Sequence, residues 1–339
     1  MNIKFLKFLF SLLICFVSTA LLFSAEKKTN ENTFPEPATA VFTGEEYSIY
    51  VSYTNTVYPG DAICVRIEFS PSRKISKEPY SRTQAVLLFG EKRKADFFTL
   101  NSSKIKQNGN VTIDMLGMIP ISTWQEKGNY ELTIMYSAYG RDFYKFNLPI
   151  EVKPKEFISE TIELNESNTS IRTDTSSTKM NQINKLNNIL FSINQEAIYQ
   201  TKPFSLPTTE SRRTSFFGDR RVYAYSNGKS STSLHYGIDF GIPTGTPVFS
   251  CGKGRVVMAE NRISTGWTVV IEHLPGLYSL YYHMDSLLVE VGDFVEQEKQ
   301  IGFSGATGLA TGPHLHWEVR LNGEAVNPDF FTGDFPFFN

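Results

Sequence analysis

An all-β fold is predicted for nearly the whole chain, and three observations predict it. The first half carries short runs of alternating apolar and polar residues. The last third carries β-like runs punctuated by glycine. Aromatic residues are plentiful, with 27 Phe and 16 Tyr, which suits half-buried pleated surfaces better than helical bundles. The length of 339 residues exceeds the roughly 250–300 residues that one core usually supports, so two domains are expected. Composition is that of an ordinary folded protein, 41% hydrophobic and 20% charged. A formal net charge of -2 offers no basic footprint for nucleic acid.

The N-terminus reads as a targeting segment. Lys4 and Lys7 precede an apolar run over residues 8–23, and Ser24-Ala25 supplies small residues for cleavage. Residues 1–25 are therefore a signal peptide. An uncleaved membrane anchor is the alternative, because the run reaches the lower limit of about 17–18 residues for a spanning helix. Either way the rest of the chain is exported, to the periplasm or cell envelope. Cys15 follows the bulky Ile14, which makes a poor lipid-attachment site. The exported part keeps Cys64 and Cys251, each among apolar neighbours and in separate proposed domains. Buried free thiols are expected, despite an oxidising compartment. Residues 26–44 are polar, contain Pro35 and Pro37, and read as a disordered spacer.

Residues 45–152 alternate over 47–53, 62–69, 110–115 and 130–136. Turn signals separate the runs at Pro59-Gly60-Asp61, Asn108-Gly109-Asn110 and Lys127-Gly128-Asn129. About seven short strands at such spacing predict an immunoglobulin-like β-sandwich. The region lacks the Cys…Trp…Cys pattern of a true immunoglobulin domain. It holds no histidine and no acidic cluster with ligand spacing, so it is expected to fold alone as a spacer or docking module.

Residues 153–200 read as a linker, rich in Ser, Thr, Asn and Glu up to about residue 180. Then Ile183, Leu186, Leu190, Ile193 and Ala197 recur at steps of three and four. That spacing predicts an amphipathic helix of about 15–20 residues. Its apolar face fits packing on its own chain or, since the steps span two heptads, pairing with a partner helix. Residues 45–200 together are the candidate surface for an envelope protein partner. Residues 201–339 form a third, all-β unit, with strands expected at 246–249, 254–259, 267–272, 278–283, 294–295 and 314–320.

All five histidines lie in this last third. His235-Tyr236-Gly237-Ile238-Asp239 places an imidazole and a carboxylate four residues apart. Gly237 and the extended flanks favour a strand, on which residues an even number apart share a face. Gly237 would leave room for a metal near the backbone. His314 and His316 likewise share a face, with Leu315 on the other. A catalytic zinc takes three such ligands and keeps a position open. Five histidines and one aspartate exceed three, so some must act on substrate. His283, near Tyr278, Tyr281 and Tyr282, fits that role. His273 precedes Leu274-Pro275-Gly276 and reads as a structural histidine leading into a turn.

Residues 211–330 resemble the lysostaphin/LytM-type zinc metalloendopeptidases, which cut peptidoglycan peptides. Ser215-Phe216-Phe217-Gly218-Asp219-Arg220 resembles the family's opening motif, and His235-Tyr236-Gly237-Ile238-Asp239 its first ligand motif. Gly245-Thr246-Pro247-Val248, residues 266–271 and Tyr281-Tyr282-His283-Met284 match its middle, and residues 305–319, ending in His314-Leu315-His316-Trp317-Glu318-Val319, its signature end. The resemblance implies a duplicated-hybrid-motif β-sandwich and one Zn²⁺ per chain, bound by His235, Asp239 and His316. His314 and His283 would be the catalytic pair, one as general base and one hydrogen-bonding the oxyanion, in an order left open. The implied activity is a secreted zinc metalloendopeptidase hydrolysing crosslinks or stem peptides of peptidoglycan during wall remodelling. The alternative is a non-hydrolytic, zinc-bound envelope module that binds wall or activates another hydrolase. Three positions depart from the family pattern: Glu298 for a turn glycine, Cys251 for alanine, and Trp317 for phenylalanine. Tyr282 and Trp317 are candidates to line the groove or to fill the core. An inhibitory role for residues 153–200, covering the groove, also stays open.

Overall fold

The computed structural model describes residues 37–72, 83–90, 93–100, 112–140 and 142–332. The expected signal peptide, Cys15, most of the expected spacer and the Asn108-Gly109-Asn110 turn lie outside these residues.

The sandwich begins earlier than its sequence suggests. Strand β1 (Ala38–Thr43) falls within the expected spacer and pairs antiparallel with β2 (Tyr47–Tyr53). Pro35 and Pro37 make the stretch look like a linker, but ATAVFT alternates, and Phe42 packs against the core. Then follow β3 (Thr56–Val57), β4 (Ala62–Pro71), β5 (Gln84–Phe89), β6 (Arg93–Asp96), β7 (Phe98–Thr99), β8 (Ile113–Pro120), β9 (Gly128–Ser137) and β10 (Tyr144–Val152). They form two five-stranded sheets, β1-β2-β4-β8-β7 and β3-β10-β9-β5-β6. Ten strands are thus present among the described residues, against about seven expected. Of the extra edge strands, β3 and β7 have two residues each, too short for a period-2 signal, while the alternation of β1 is masked by the prolines before it. The core lies between the sheets, where Ile63, Val65, Ile67 and Phe69 of β4 meet Ala85, Leu87, Leu132, Ile134 and Leu148.

Residues 153–200 are more than a linker. Strand β11 (Ser159–Glu163) is followed by α1 (Glu166–Thr173) and α2 (Ser177–Leu190). Asn165 and Ser176 cap the two helices, accepting from the amides of Asn168 and Lys179. Leu186, Ile189 and Leu190 pack against Met258, Val270, Tyr278, Leu280 and Tyr282, so α2 spends its apolar face on its own chain. The helix stops at Leu190. Ile193 and Ala197 belong to the following turns, Ile193 exposed and Ala197 buried, so the five-residue periodicity overran the helix by two positions.

The third unit contains β12 (Arg213–Ser215), β13 (Arg220–Ala224), β14 (Ser230–Leu234), β15 (Gly237–Phe240), β16 (Pro247–Phe249), β17 (Gly254–Arg262), β18 (Gly266–Leu274), β19 (Leu277–Leu287), β20 (Phe294–Val295), β21 (Gln300–Ser304), β22 (Leu315–Leu321) and β23 (Glu324–Val326). A ten-stranded sheet runs β12-β15-β22-β19-β18-β17-β20, with β16, β21 and β23 attached at its side. A small sheet, β11-β13-β14, is completed by the strand from the linker segment, and β11 runs parallel to β13. Trp317, Tyr281 and Phe240 are fully buried in the core. Trp317 therefore fills the interior instead of lining a groove. Glu298 holds a positive φ of 65° in the turn where the resemblance expects glycine. Cys64 and Cys251 are buried free thiols.

The sandwich packs against this unit. Strand β8 contacts β22 and β23, and all eight of its residues are buried between its own sandwich and this unit. Arg220 of the opening motif stacks over Trp124 at 3.8 Å and Phe157 at 4.5 Å, and its Nη2 donates to the Thr123 carbonyl at 3.0 Å. Gly60 has φ 93°, and a Cβ there would lie 2.4 Å from the Phe217 ring, so only glycine admits this approach.

Candidate active site

Two strand registers assemble the site. Strands β15 and β22 are antiparallel with Asp239 opposite His316, and β22 pairs with β19 so that His316 stands opposite Tyr282. Opposed residues on adjacent strands lie about 4.5–5.5 Å apart, which brings their side chains into contact. His235 precedes β15 and has its amide on the Asp219 carbonyl at 2.9 Å. Gly237 makes the approach feasible for a different reason from the one expected. A Cβ there would sit 2.3 Å from the Trp317 carbonyl and 2.8 Å from His316 Nε2. The missing side chain makes room for β22 and a histidine ring.

His235, Asp239 and His316 offer donor atoms that all lie within 4.8 Å of one another. His235 Nε2 is 3.0 Å from Asp239 Oδ1 and 3.0 Å from His316 Nδ1, and His316 Nδ1 is 2.8 Å from Asp239 Oδ1. Tetrahedral zinc with bonds of about 2.0–2.1 Å spaces its ligands about 3.3 Å apart. The donor set therefore fits such an ion after opening by a few tenths of an ångström. Outer partners aim the rings correctly. His235 Nδ1–H donates to the Phe216 carbonyl at 2.8 Å, leaving Nε2 for the cluster. His316 Nε2–H faces Glu318 at 3.4 Å, leaving Nδ1. Glu318 is itself bonded to Arg320. A carboxylate or carbonyl behind the ligating histidine is the usual support of a zinc site.

Electrostatics follow from burial and pairing. Burial alone would raise the Asp239 carboxyl, but the His235 and His316 rings beside it hold it well below its ordinary value. Burial lowers His235, opposed by Asp239. It also pushes His316 down, but Asp239 and Glu318 outweigh it and bring the ring up to about 9.

His283 and His314 sit beside the cluster, their ring centroids 4.6 Å apart. His283 Nδ1–H donates to the Thr307 carbonyl and His314 Nδ1–H to the Gly312 carbonyl, each at 2.8 Å. Both rings therefore present an Nε2 lone pair. His314 Nε2 lies 3.9 Å from Asp239 Oδ1. His283 adopts a positive φ of 60°, sparsely populated backbone for a bulky residue and a common form of strain at functional sites. Burial, reinforced by His314 and His316, pushes His283 down to about 3. Tyr282 stacks on His316 with centroids 5.1 Å apart and planes within 5°. These groups line one cavity of about 700 Å³, walled on another side by Glu160, Ile162, Leu164 and Arg172 of the preceding segment. His273 stands apart, fully buried, bridging the Lys253 carbonyl at 2.8 Å and Ser279 Oγ at 2.7 Å, in the structural role its sequence context suggests.

Sequence reasoning missed Arg221, Glu160 and the support role of Glu318. Arg221 donates to Asp239 Oδ2 at 2.7 Å and to Glu160 Oε1 at 2.9 Å. Glu318 falls inside the signature stretch, two residues beyond His316, which is a usable signal. Glu160 lies in a Ser- and Glu-rich stretch and gives none.

The stretch 233–328 matches the sequence model described as Peptidase family M23. Residues 233–328 are a peptidase family M23 domain. Among curated relatives of this M23 domain is "Peptidoglycan DD-endopeptidase ShyA" of Vibrio cholerae, 40% identical over 116 residues, covering 34% of this chain and 26% of that protein. Another is "DD-carboxypeptidase/endopeptidase Mpg" of Neisseria meningitidis, 42% identical over 95 residues, covering 28% of this chain and 22% of that protein. An "Uncharacterized metalloprotease" of Buchnera aphidicola is 44% identical over 96 residues, covering 28% and 26%. The chain thus spans about a quarter of the length of the curated relatives it matches. Beyond the M23 domain, most of the fold is shared with a crystal structure from Pseudomonas aeruginosa named "putative peptidase M23". That likeness has a TM-score of 0.52 at 21% identity and covers 82% of this chain and 96% of that one.

Proposed function

We propose that the chain is an exported zinc metalloendopeptidase that hydrolyses peptide crosslinks or stem peptides of peptidoglycan. One observation carries this reading. Three buried donors converge on a point at the wall of an open cavity, with two further imidazoles beside them whose Nε2 atoms are unclaimed by the backbone. The names of the curated relatives, among them peptidoglycan DD-endopeptidases, support the substrate class. The charged start, apolar run and small residues of 1–25 support export.

His235, Asp239 and His316 would hold the zinc, which when bound supplies Lewis acidity toward water and the scissile carbonyl. The chain's own residues do the rest. His314, less buried than His283, takes the proton at Nε2 while its Nδ1–H stays on Gly312, then returns it to the leaving amine. His283 is hard to protonate and, as a neutral ring tied to Thr307, offers an acceptor at Nε2, which orients the attacking water. A hydrogen bond from His283 to the oxyanion, one of the two orders the sequence left open, would require the protonated ring. Tyr282 fixes the plane of His316 by stacking.

The test is digestion of purified peptidoglycan by the chain, with released muropeptides read by mass spectrometry. Cleavage that stops on chelation and returns with zinc is expected. Zinc-loaded protein that releases no muropeptide would establish the non-hydrolytic envelope module instead.

A further inference from the structure

The two carboxylate oxygens of Asp239 have different partners. Oδ1 faces His235 and His316 at 3.0 and 2.8 Å, whereas Oδ2 accepts Arg221 Nη2 at 2.7 Å. The same guanidinium donates through Nε to Glu160 Oε1 at 2.9 Å, and Ser215 Oγ donates to that oxygen at 3.3 Å. Arg221 is only 11% exposed. It is thus held out of water between two carboxylates, an arrangement that a planar fork of donors serves and a lysine cannot copy.

We propose that Arg221 and Glu160 are positioning residues for the zinc ligand Asp239, so that the segment preceding the M23 domain takes part in holding the metal. A carboxylate rotates easily about its last torsion and can present either oxygen, or both. Arg221 occupies Oδ2 and leaves Oδ1 as the one oxygen turned to the histidines. A lone guanidinium this close would repel a divalent cation. Glu160 cancels that charge, so the pair orients the ligand without adding net positive charge at the metal. Topology specifies the pairing: β11 and β13 run parallel with Glu160 registered opposite Arg221. Neither residue falls within 233–328, the stretch that matches the family. This rests on reading His235, Asp239 and His316 as the zinc set.

Zinc affinity of the full chain, measured by chelator competition without peptidoglycan, tests the proposal. Arg221→Gln is expected to weaken zinc binding about 10–100-fold, the usual cost of removing an outer partner of a ligand. Glu160→Gln is expected to weaken it as well. Arg221→Lys should recover part of the loss, and the double variant should lose less than the two single losses multiplied. Arg213→Gln is the control. It breaks a comparable two-point contact, Arg213 to Asp329 at 2.5 and 2.8 Å, on the neighbouring strand but with its side chain over Phe240, on the opposite face from Asp239. It should lower thermal stability and leave zinc affinity unchanged. The proposal is overturned if Arg221→Gln binds zinc as tightly as the wild type, or if Arg213→Gln weakens binding as much. A wild-type chain that takes up no zinc would instead overturn the ligand assignment itself.

Discussion

On β5 and β9 of the sandwich, the residues turned inward are Ala85, Leu87, Phe89, Leu132, Ile134 and Tyr136. On β15 and β22, the same alternation turns Ile238, Phe240, Leu315, Trp317 and Val319 to one face and Asp239, His316 and Glu318 to the other. In the sandwich the outer face meets water over β9 and β10. In the third unit the second face is buried as well, by polar and charged groups over β15 and β22 and by the apolar side of α2 over β17, β18 and β19. Burying an ion costs several kcal/mol unless partners replace its water. Asp239 has three such partners in His235, His316 and Arg221, and Glu318 has His316 and Arg320. The contrast teaches that one strand period can build either a passive core or a reactive one. The difference lies in what covers the second face.

The contrast breaks most sharply at Asp239. Asp239→Ala is expected to lose bound zinc and bring wall hydrolysis to background, because a three-ligand site cannot spare one. Metal content by mass spectrometry beside turnover checks it, and full zinc with full turnover would mean the ligand is elsewhere. Next come His314→Ala and His283→Ala, expected to keep zinc and lose turnover by about 10²-fold or more. If His314→Ala lost zinc, that ring would be a ligand and His316 would lose the role.

The two interiors should also respond differently to acid. Burial pushes His273 down to about 4. Between pH 6.5 and 4 the unfolded chain takes up a proton there that the folded chain refuses. Stability contributed by the neutral ring is therefore complete above about pH 6.5 and falls as pH drops, by about 3 kcal/mol at the limit. Denaturant unfolding against pH, for wild type and His273→Asn, should show a smaller slope in that window for the variant. Equal slopes would place the titration elsewhere. The sandwich has no histidine, so isolated residues 38–152 should show no imidazole-linked loss of stability between those limits; buried Asp61, whose carboxyl burial raises, would give a slope of the opposite sign.

The smallest effect concerns the contact between the two regions. Arg220→Ala removes stacking on Trp124 and Phe157 and the bonds to Thr123, and should cost about 1–2 kcal/mol of docking. Limited proteolysis should then cut faster within residues 153–158, with zinc content unchanged. Unchanged cleavage would show that β8 against β22 and β23 suffices.

Much of this was legible in the residues themselves. Runs such as 62–69 and 278–283 declared strands, and the spacings His235 to Asp239 and His314 to His316 marked candidate ligands, although His235 and His314 lie just before β15 and β22 and share no strand face with their partners. The motif order added the family. What tertiary structure alone decided were contacts between strands. Asp239 meets His316 across 77 positions, and Arg221 meets Glu160 across 61, through registers that no local pattern encodes. The same holds for β1, an edge strand hidden behind two prolines, and for α2, whose periodicity could not say where the helix would stop or which surface would take its apolar face. Local spacing fixes which side chains share a face. Only the folded sheet brings the second face its partners, and here those partners include a glutamate from a segment that reads as a linker.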